Sequence, residues 1–139
     1  MQVLALARNP QVLVASLAVV LAIALHSEQT REQRTFKALD VSVPDVIALI
    51  ESGALVIDVR STPSTHLPGA LLIPLEVLSA RLAGMEVAKT QPIVVYCGNG
   101  SRLGPEAAHV LTQAGFTHVV NLQPGIEGWR AAGLPVASG

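Results

Sequence analysis

Hydrophobic positions fall into distinct patterns along the chain, and each predicts a different kind of element. Between Val12 and Leu25 (VLVASLAVVLAIAL) the only polar side chain is Ser16, so no polar face recurs as it would on a surface helix. Asn9-Pro10 before this run reads as a helix N-cap with proline at the first helical position. As helix the fourteen residues span roughly 21 Å, short of a ~30 Å hydrocarbon core. Counting Asn9 to Ser27, with Arg8 reaching the headgroups, brings the span to about 28 Å, which is enough. His26 to Thr35 (HSEQTREQRT) is a polar, helix-compatible connector. The chain therefore reads as a hydrophobic segment and connector over 1–35 and a globular domain over 36–139.

Within the domain the pattern alternates between helical and strand signatures. Ser42 opens a capped helix with Pro44 and Asp45 in its first turn; Val46, Ile47, Leu49 and Ile50 form its apolar face, and Gly53 ends it. Ala54 to Val59 (ALVIDV) and Ile93 to Tyr96 (IVVY) are nearly continuous apolar runs, as expected of strands buried on both faces. Between them, Arg60 to Gly69 (RSTPSTHLPG) is rich in turn formers and predicts a loop. Ala70 to Ile73 predicts a short strand stopped by Pro74, and Val77, Leu78 and Leu82 mark a helix. Pro105 to Ala114 predicts a helix ending at Gly115, His118 to Leu122 a further strand, and Glu127 to Ala132 a last short helix. Strands alternating with helices over some 100 residues imply an α/β domain, a parallel sheet with helices on both faces.

Three readings compete for the N-terminal segment. It is a single-pass anchor held in the membrane through residues 9–27, a cleaved signal peptide with Ala22-Ile23-Ala24 supplying the small-x-small pattern, or a core helix. Segment length favours the anchor. Arg8 precedes the segment, whereas Arg31, Arg34 and Lys37 follow it, so the positive-inside rule places the domain in the cytoplasm. Cleavage would instead leave it periplasmic or secreted.

Composition narrows the chemistry. The formal net charge is −1 with 14% charged residues, which gives no basic face for nucleic acid. Four histidines and one cysteine, with no pairing at metal-ligand spacing, argue against a metal site, and nothing calls for a cofactor. A single cysteine also excludes an internal disulfide.

That cysteine, Cys97, sits where the IVVY strand ends, followed by Gly98-Asn99-Gly100-Ser101-Arg102 and then a helix start. Ligands of open parallel sheets bind at the carboxyl ends of strands. Glycines at 98 and 100 let the backbone curl so that successive N–H groups point inward, and such a cradle beside a helix N-terminus stabilises an anion. Here the anion would be the Cys97 thiolate, with a pKa expected below the free ~8.5. Arg102 can fold back to hold an anionic substrate. The plain alternative, a buried inert cysteine between turn glycines, does not explain why strand end, glycines, arginine and helix start coincide. Nucleotide binding fits poorly: Gly98, Gly100 and Gly104 miss the dinucleotide spacing by one residue, no P-loop lysine follows, and the next strand ends near Asn121 rather than an acidic residue.

These residues give the domain a resemblance to the rhodanese, or thiosulfate sulfurtransferase, family. It is carried by Asp58-Val59-Arg60, His66-Leu67-Pro68-Gly69-Ala70, the Cys97-to-Arg102 loop and Gly125-Ile126-Glu127-Gly128-Trp129, four motifs in order across about residues 36–139. The resemblance implies a rhodanese-like fold with a five-stranded, mostly parallel sheet between helices. It also implies a double displacement through a Cys97 persulfide, from a donor such as thiosulfate to a thiol or cyanide acceptor. The six-residue loop from Cys97 to Arg102 resembles the sulfurtransferases; a loop one residue longer would resemble the related phosphatases and arsenate reductases. Gly98, Asn99, Gly100, Ser101 and Arg102 are then the substrate-binding residues, and Asp58 and Arg60 supporting ones. The chain departs from the family where Ser61 to Thr65 is shorter and lacks the usual acidic-aromatic pair, and where Pro124 replaces a second glycine. A module that only carries sulfur between proteins or scaffolds partners at the membrane is the alternative function, and an oxyanion enzyme of the phosphatase or arsenate-reductase type a third.

Overall fold

The computed structural model describes residues 9–38 and 40–139, with side chains described for 9–28 and 40–139. It divides into two compact units, the first ending at Lys37 and the second running from Ala38 to Gly139.

Among the described residues the first unit consists of a helix, α1 (Pro10–Ala38), whose last residue falls at the start of the second unit. Asn9 caps it as the sequence predicts: its Oδ1 accepts from the Gln11 N–H at 3.1 Å and its carbonyl from Val12 and Leu13. The polar stretch 26–35 continues the same helix instead of breaking it. Leu13, Val14, Leu17 and Ile23 are all more than half exposed, and Pro10–Glu28 is long and apolar enough to cross a membrane, with none of it buried. The Ser16 and Ser27 hydroxyls donate back to the Val12 and Ala24 carbonyls, which hides their polarity from an apolar surrounding. Arg8 lies outside the described residues, as do the side chains of Arg31, Arg34 and Lys37.

The second unit is built on a parallel sheet in the order β1-β6-β5-β2-β4, with β1 Asp40–Val41, β2 Leu55–Asp58, β4 Leu71–Leu72, β5 Ile93–Tyr96 and β6 Val119–Leu122. Helix α2 (Val43–Glu51) follows β1 and starts as predicted: the amide and hydroxyl of Ser42 both donate to the Asp45 carboxylate, which holds that carboxyl below the usual range. A 3-10 turn (Leu75–Val77), α3 (Leu78–Gly84), α4 (Leu103–Gln113) and α5 (Gly125–Ala131) complete the helices.

Alternation along β2 and β5 sorts the core into two layers. Ile57, Val95 and Cys97 face Leu78, Leu82, Ala107 and Leu111 of α3 and α4; Val56, Val94 and Tyr96 face Val46, Ile126 and Trp129 of α2 and α5. Each fully buried large side chain contributes roughly 1.5–3 kcal/mol by leaving water. Helices thus cover both faces of the sheet, and the two central strands are apolar but for Asp58 at the end of β2 and the Tyr96 hydroxyl, because neither face meets solvent.

Two elements differ from the sequence-based expectation. The stretch 60–69 is not all loop: β3 (Thr65–His66) pairs antiparallel with β7 (Ala137–Ser138). β1 also precedes Ser42, where no strand is expected, and pairs with β6. Both are two residues long, too short to show a period, and their partners are distant in sequence. Helix α4 begins at Leu103, ahead of Pro105, because proline is tolerated in a first turn whose N–H groups have no intrahelical acceptor.

Candidate active site

Where β2 and β5 lie side by side, their onward connections lead apart, β2 towards β4 and β5 towards β6. That is a topological switch point, and the crevice beyond the strands' carboxyl ends is where such sheets bind ligands. Cys97 is the first residue past β5. Its side chain is 3% exposed, yet it forms part of the lining of an open cavity of ≈ 360 Å³ shared with Gly98, Asn99, Ser101, Arg102, Leu103 and Glu127. Cys97 is therefore largely shielded by protein and still borders the cavity.

The loop after it turns as its glycines allow. Gly100 has φ +78°, and its N–H donates to Cys97 Sγ at 3.2 Å. Ser101 is oriented differently: both its amide and its hydroxyl donate to Asn99 Oδ1, at 3.0 and 2.7 Å. Asn99 and Ser101 therefore lock each other into the curl, and of the loop amides it is Gly100's that reaches the sulfur. Arg102 is the N-cap residue of α4. Its guanidinium is exposed at the cavity rim and pairs with no other side chain among the described residues. The α4 N-terminus adds the partial positive charge of its dipole beside the loop.

The loop is braced from two sides. The start of α5 closes over it: Ile126 N–H donates to the Cys97 carbonyl at 3.0 Å and Glu127 N–H to the Gly98 carbonyl at 2.9 Å. This contact needs Gly125, whose φ is +72° and whose Cβ would stand 2.5 Å from Gly98 O and 2.6 Å from Cys97 O. From β6, the fully buried Asn121 donates through Nδ2 to Gly100 O at 3.0 Å and to Asp40 Oδ1 at 2.8 Å. Its Oδ1 has no hydrogen-bond partner and abuts Gly104, where a Cβ would run into it.

Asp58 and Arg60 form a separate structure. Asp58 ends β2 in register with Tyr96, and is therefore on the sheet face opposite Cys97. Arg60 Nε and Nη2 reach its two carboxylate oxygens at 2.9 and 2.6 Å, and Nη2 also donates to the Thr65 carbonyl at 2.7 Å. Asp58 raises the Arg60 pKa further above its ordinary value. The guanidinium sits 5.9 Å from the Tyr96 ring, whose hydroxyl accepts from Leu67 N–H at 2.9 Å. Burial, above all, pushes the Tyr96 phenol well above its ordinary value. This network holds the 61–67 segment against the sheet and does not touch the thiol. His66 Nδ1 lies 2.9 Å from the Leu67 carbonyl and Trp129 Nε1 donates to Pro135 O, both local contacts away from the thiol.

Sequence reasoning places Cys97, Gly100 and Arg102 together as found, but assigns no role to Asn121, Gly125 or Glu127. Gly125 and Glu127 belong to the Gly125-to-Trp129 motif, whose glycine signals a close approach without saying to what. Asn121 gives a weaker signal, a polar side chain inside an otherwise apolar strand.

A parallel five-stranded sheet with a cysteine loop at its switch point is the pattern of the rhodanese-like domain, and residues 42–132 match the model of that family. The chain belongs to the rhodanese-like domain family, a family with sulfurtransferase members to which it is similar. Over 137 residues it is 29% identical to the uncharacterized protein YibN of Escherichia coli (strain K12), covering 95% of this chain and 93% of that protein. It is 33% identical over 87 residues to the thiosulfate sulfurtransferase GlpE of Pseudomonas savastanoi pv. phaseolicola, covering 60% of this chain and 79% of the relative. Among solved structures, the human single-domain sulfurtransferase TSTD1 superposes with a TM-score of 0.61 at 27% identity, over 67% of this chain and 96% of that one. These likenesses support a sulfurtransferase-type function for the chain.

Proposed function

We propose that the domain transfers sulfane sulfur through a persulfide on Cys97, taking it from a donor of the thiosulfate class and passing it to a thiol or to cyanide. The observation that carries this reading is the Gly100 N–H donated to Cys97 Sγ, with Cys97 and Arg102 lining one cavity. In the first half-reaction the Cys97 thiolate attacks the outer sulfur of thiosulfate. The Sγ–S bond forms, the S–S bond of the donor breaks, and the electron pair leaves on sulfite. In the second, the acceptor attacks the same sulfur, the Sγ–S bond breaks, and the pair returns to Cys97. The Gly100 amide stabilises the thiolate that attacks and that is regenerated as the leaving group, and Arg102 draws the anionic donor in. The donor assignment is supported by the similarity to an enzyme named for thiosulfate.

Residues 9–27 anchor the chain in the membrane in this reading, and Arg31, Arg34 and Lys37 hold the domain on the cytoplasmic side. Labelling intact cells with a membrane-impermeant thiol reagent tests the side, since Cys97 is the one thiol in the chain; labelling without lysis would overturn the cytoplasmic assignment.

The chemistry is tested by incubating the protein with thiosulfate and measuring its intact mass. The expected result is a gain of one sulfur atom, reversed by reducing agent and abolished by Cys97→Ser. Absence of the adduct, together with no thiocyanate from cyanide, would overturn the reading.

A further inference from the structure

The cavity holds one feature that the transfer of inorganic sulfur does not use. Glu127 lines it together with Cys97 and Arg102. Its backbone N–H is fixed on the Gly98 carbonyl, which plants the residue at the loop. Its Oε1 lies 3.7 Å from the point a Gly98 Cβ would occupy. The carboxylate is exposed and, like the Arg102 guanidinium, pairs with no other side chain among the described residues. The two opposite charges border the same cavity as Cys97 and form no ion pair with each other. A dianion such as thiosulfate gains from Arg102 but is repelled by Glu127. A small thiol carrying both a carboxylate and an ammonium group offers each side chain a complementary charge.

Resting on the sulfurtransferase reading above, we propose that Glu127 and Arg102 together select zwitterionic amino-acid thiols, of which cysteine is the simplest, as sulfur acceptors. Arg102 takes the carboxylate and Glu127 the ammonium, which brings the acceptor sulfur over the Cys97 persulfide. The acceptor thiol gives its proton to solvent and attacks the outer sulfur as thiolate. The Cys97 Sγ–S bond breaks, the acceptor leaves as a persulfide, and Cys97 regains the electron pair. No other oxidant or reductant is required. Glu127 is a specificity-determining residue in this scheme, and the same charge tempers the rate with inorganic dianions.

The test uses protein preloaded on Cys97 with thiosulfate, discharged in a single turnover by cysteine or by 3-mercaptopropionate, which keeps the thiol and carboxylate but lacks the ammonium. The two thiols differ in intrinsic reactivity, so the readout is how their rate ratio changes on substitution, which cancels that difference. Glu127→Gln should lower the cysteine-to-mercaptopropionate ratio about three-fold, the size expected of a rim charge, and raise kcat/KM for thiosulfate by a similar factor. Glu127→Lys should move both further in the same directions, and added salt should shrink the effects. An unchanged ratio in both variants, with persulfide still forming, would overturn the acceptor assignment alone. A wild-type protein that forms no persulfide would overturn the sulfurtransferase reading and this inference with it.

Discussion

Asn121 Nδ2 donates to the Gly100 carbonyl at 3.0 Å, and the Gly100 amide on the other side of the same residue donates to Cys97 Sγ at 3.2 Å. A buried side chain on β6 thereby holds, from its carbonyl side, the residue whose amide faces the thiol, although it does not touch the thiol itself. Its other bond, to Asp40 Oδ1, ties the edge strand β1 to the same point. Asn121 is a positioning residue.

Asn121→Ala should therefore do two things. It strands the Gly100 carbonyl and loosens β1, costing about 1–3 kcal/mol for the unmet buried polar groups. It should also slow persulfide formation more than any loss of folded protein accounts for, because Gly100 is no longer held on its carbonyl side and its amide can turn from the sulfur. Urea unfolding followed by Trp129 fluorescence gives the first quantity, and single-turnover sulfur loading under native conditions the second. Unaltered loading by the folded variant would remove Asn121 from the positioning role.

Gly125 offers a sharper separation of backbone strain from close approach. Both Gly125 and Gly133 have positive φ, +72° and +75°, but a Cβ on Gly133 meets nothing within 4 Å, whereas one on Gly125 collides with the Cys97 and Gly98 carbonyls. Gly133→Ala should cost about 1–2 kcal/mol from left-handed backbone alone. Gly125→Ala should cost roughly 1–3 kcal/mol more from the forced displacement, and it should also impair sulfur loading by pushing α5 off the loop. Equal costs for the two variants in urea unfolding would contradict the close-approach account.

What the sequence made legible follows from how strongly each element is written in local chemistry. The apolar runs at 54–59 and 93–96 announce buried strands, and the Ser42–Asp45 pair announces a helix start, because each signal lies within a few neighbouring residues. The thiol loop was readable for the same reason, with cysteine, glycines and arginine contiguous. By contrast, β1, β3 and β7 exist through partners on distant parts of the chain, and no two-residue segment carries that information. Asn121 and Glu127 reach the loop only once β6 and α5 are packed beside β5. Asp58 and Arg60 were legible as a supporting pair, but the face of the sheet they occupy followed only from the strand register.

The Asp58–Arg60 pair is asymmetric, and that asymmetry predicts unequal mutational costs. Asp58 is fully buried, while Arg60 keeps 22% of its side chain in solvent. Arg60→Ala leaves a buried carboxylate without its cation, a loss of about 3–5 kcal/mol. Asp58→Asn retains an oxygen for the Arg60 backbone N–H, which donates to Asp58 Oδ1 at 3.0 Å, and leaves the cation close to water, so it should cost clearly less. The double variant should be more stable than Arg60→Ala alone. Urea unfolding of the three variants checks the order, and a destabilised double variant at the sum of the single costs would show that the pair is not coupled. Because the pair lies on the face opposite Cys97, Arg60→Ala that is still folded should load sulfur at close to the wild-type rate.

Tyr96 links the fold to pH. It is the single tyrosine of the chain, so phenolate absorbance reports it alone. Burial raises its pKa in the folded protein, against about 10 in an unfolded chain. A group whose folded pKa is raised contributes stability that is fully present below the unfolded value, near pH 10, and is lost as pH climbs from there towards the folded value. Native protein should accordingly show no phenolate at about pH 10, while protein in urea titrates in that range. Tyr96→Phe removes the acceptor for the Leu67 amide, costing about 1–3 kcal/mol near neutral pH. The variant should lose less stability than wild type as the solution is made more alkaline, so the gap between them narrows above about pH 10. A native phenolate signal with its midpoint near the free value would mean that the phenol is solvated, and that the Tyr96–Leu67 contact does not hold the 61–67 segment to the sheet.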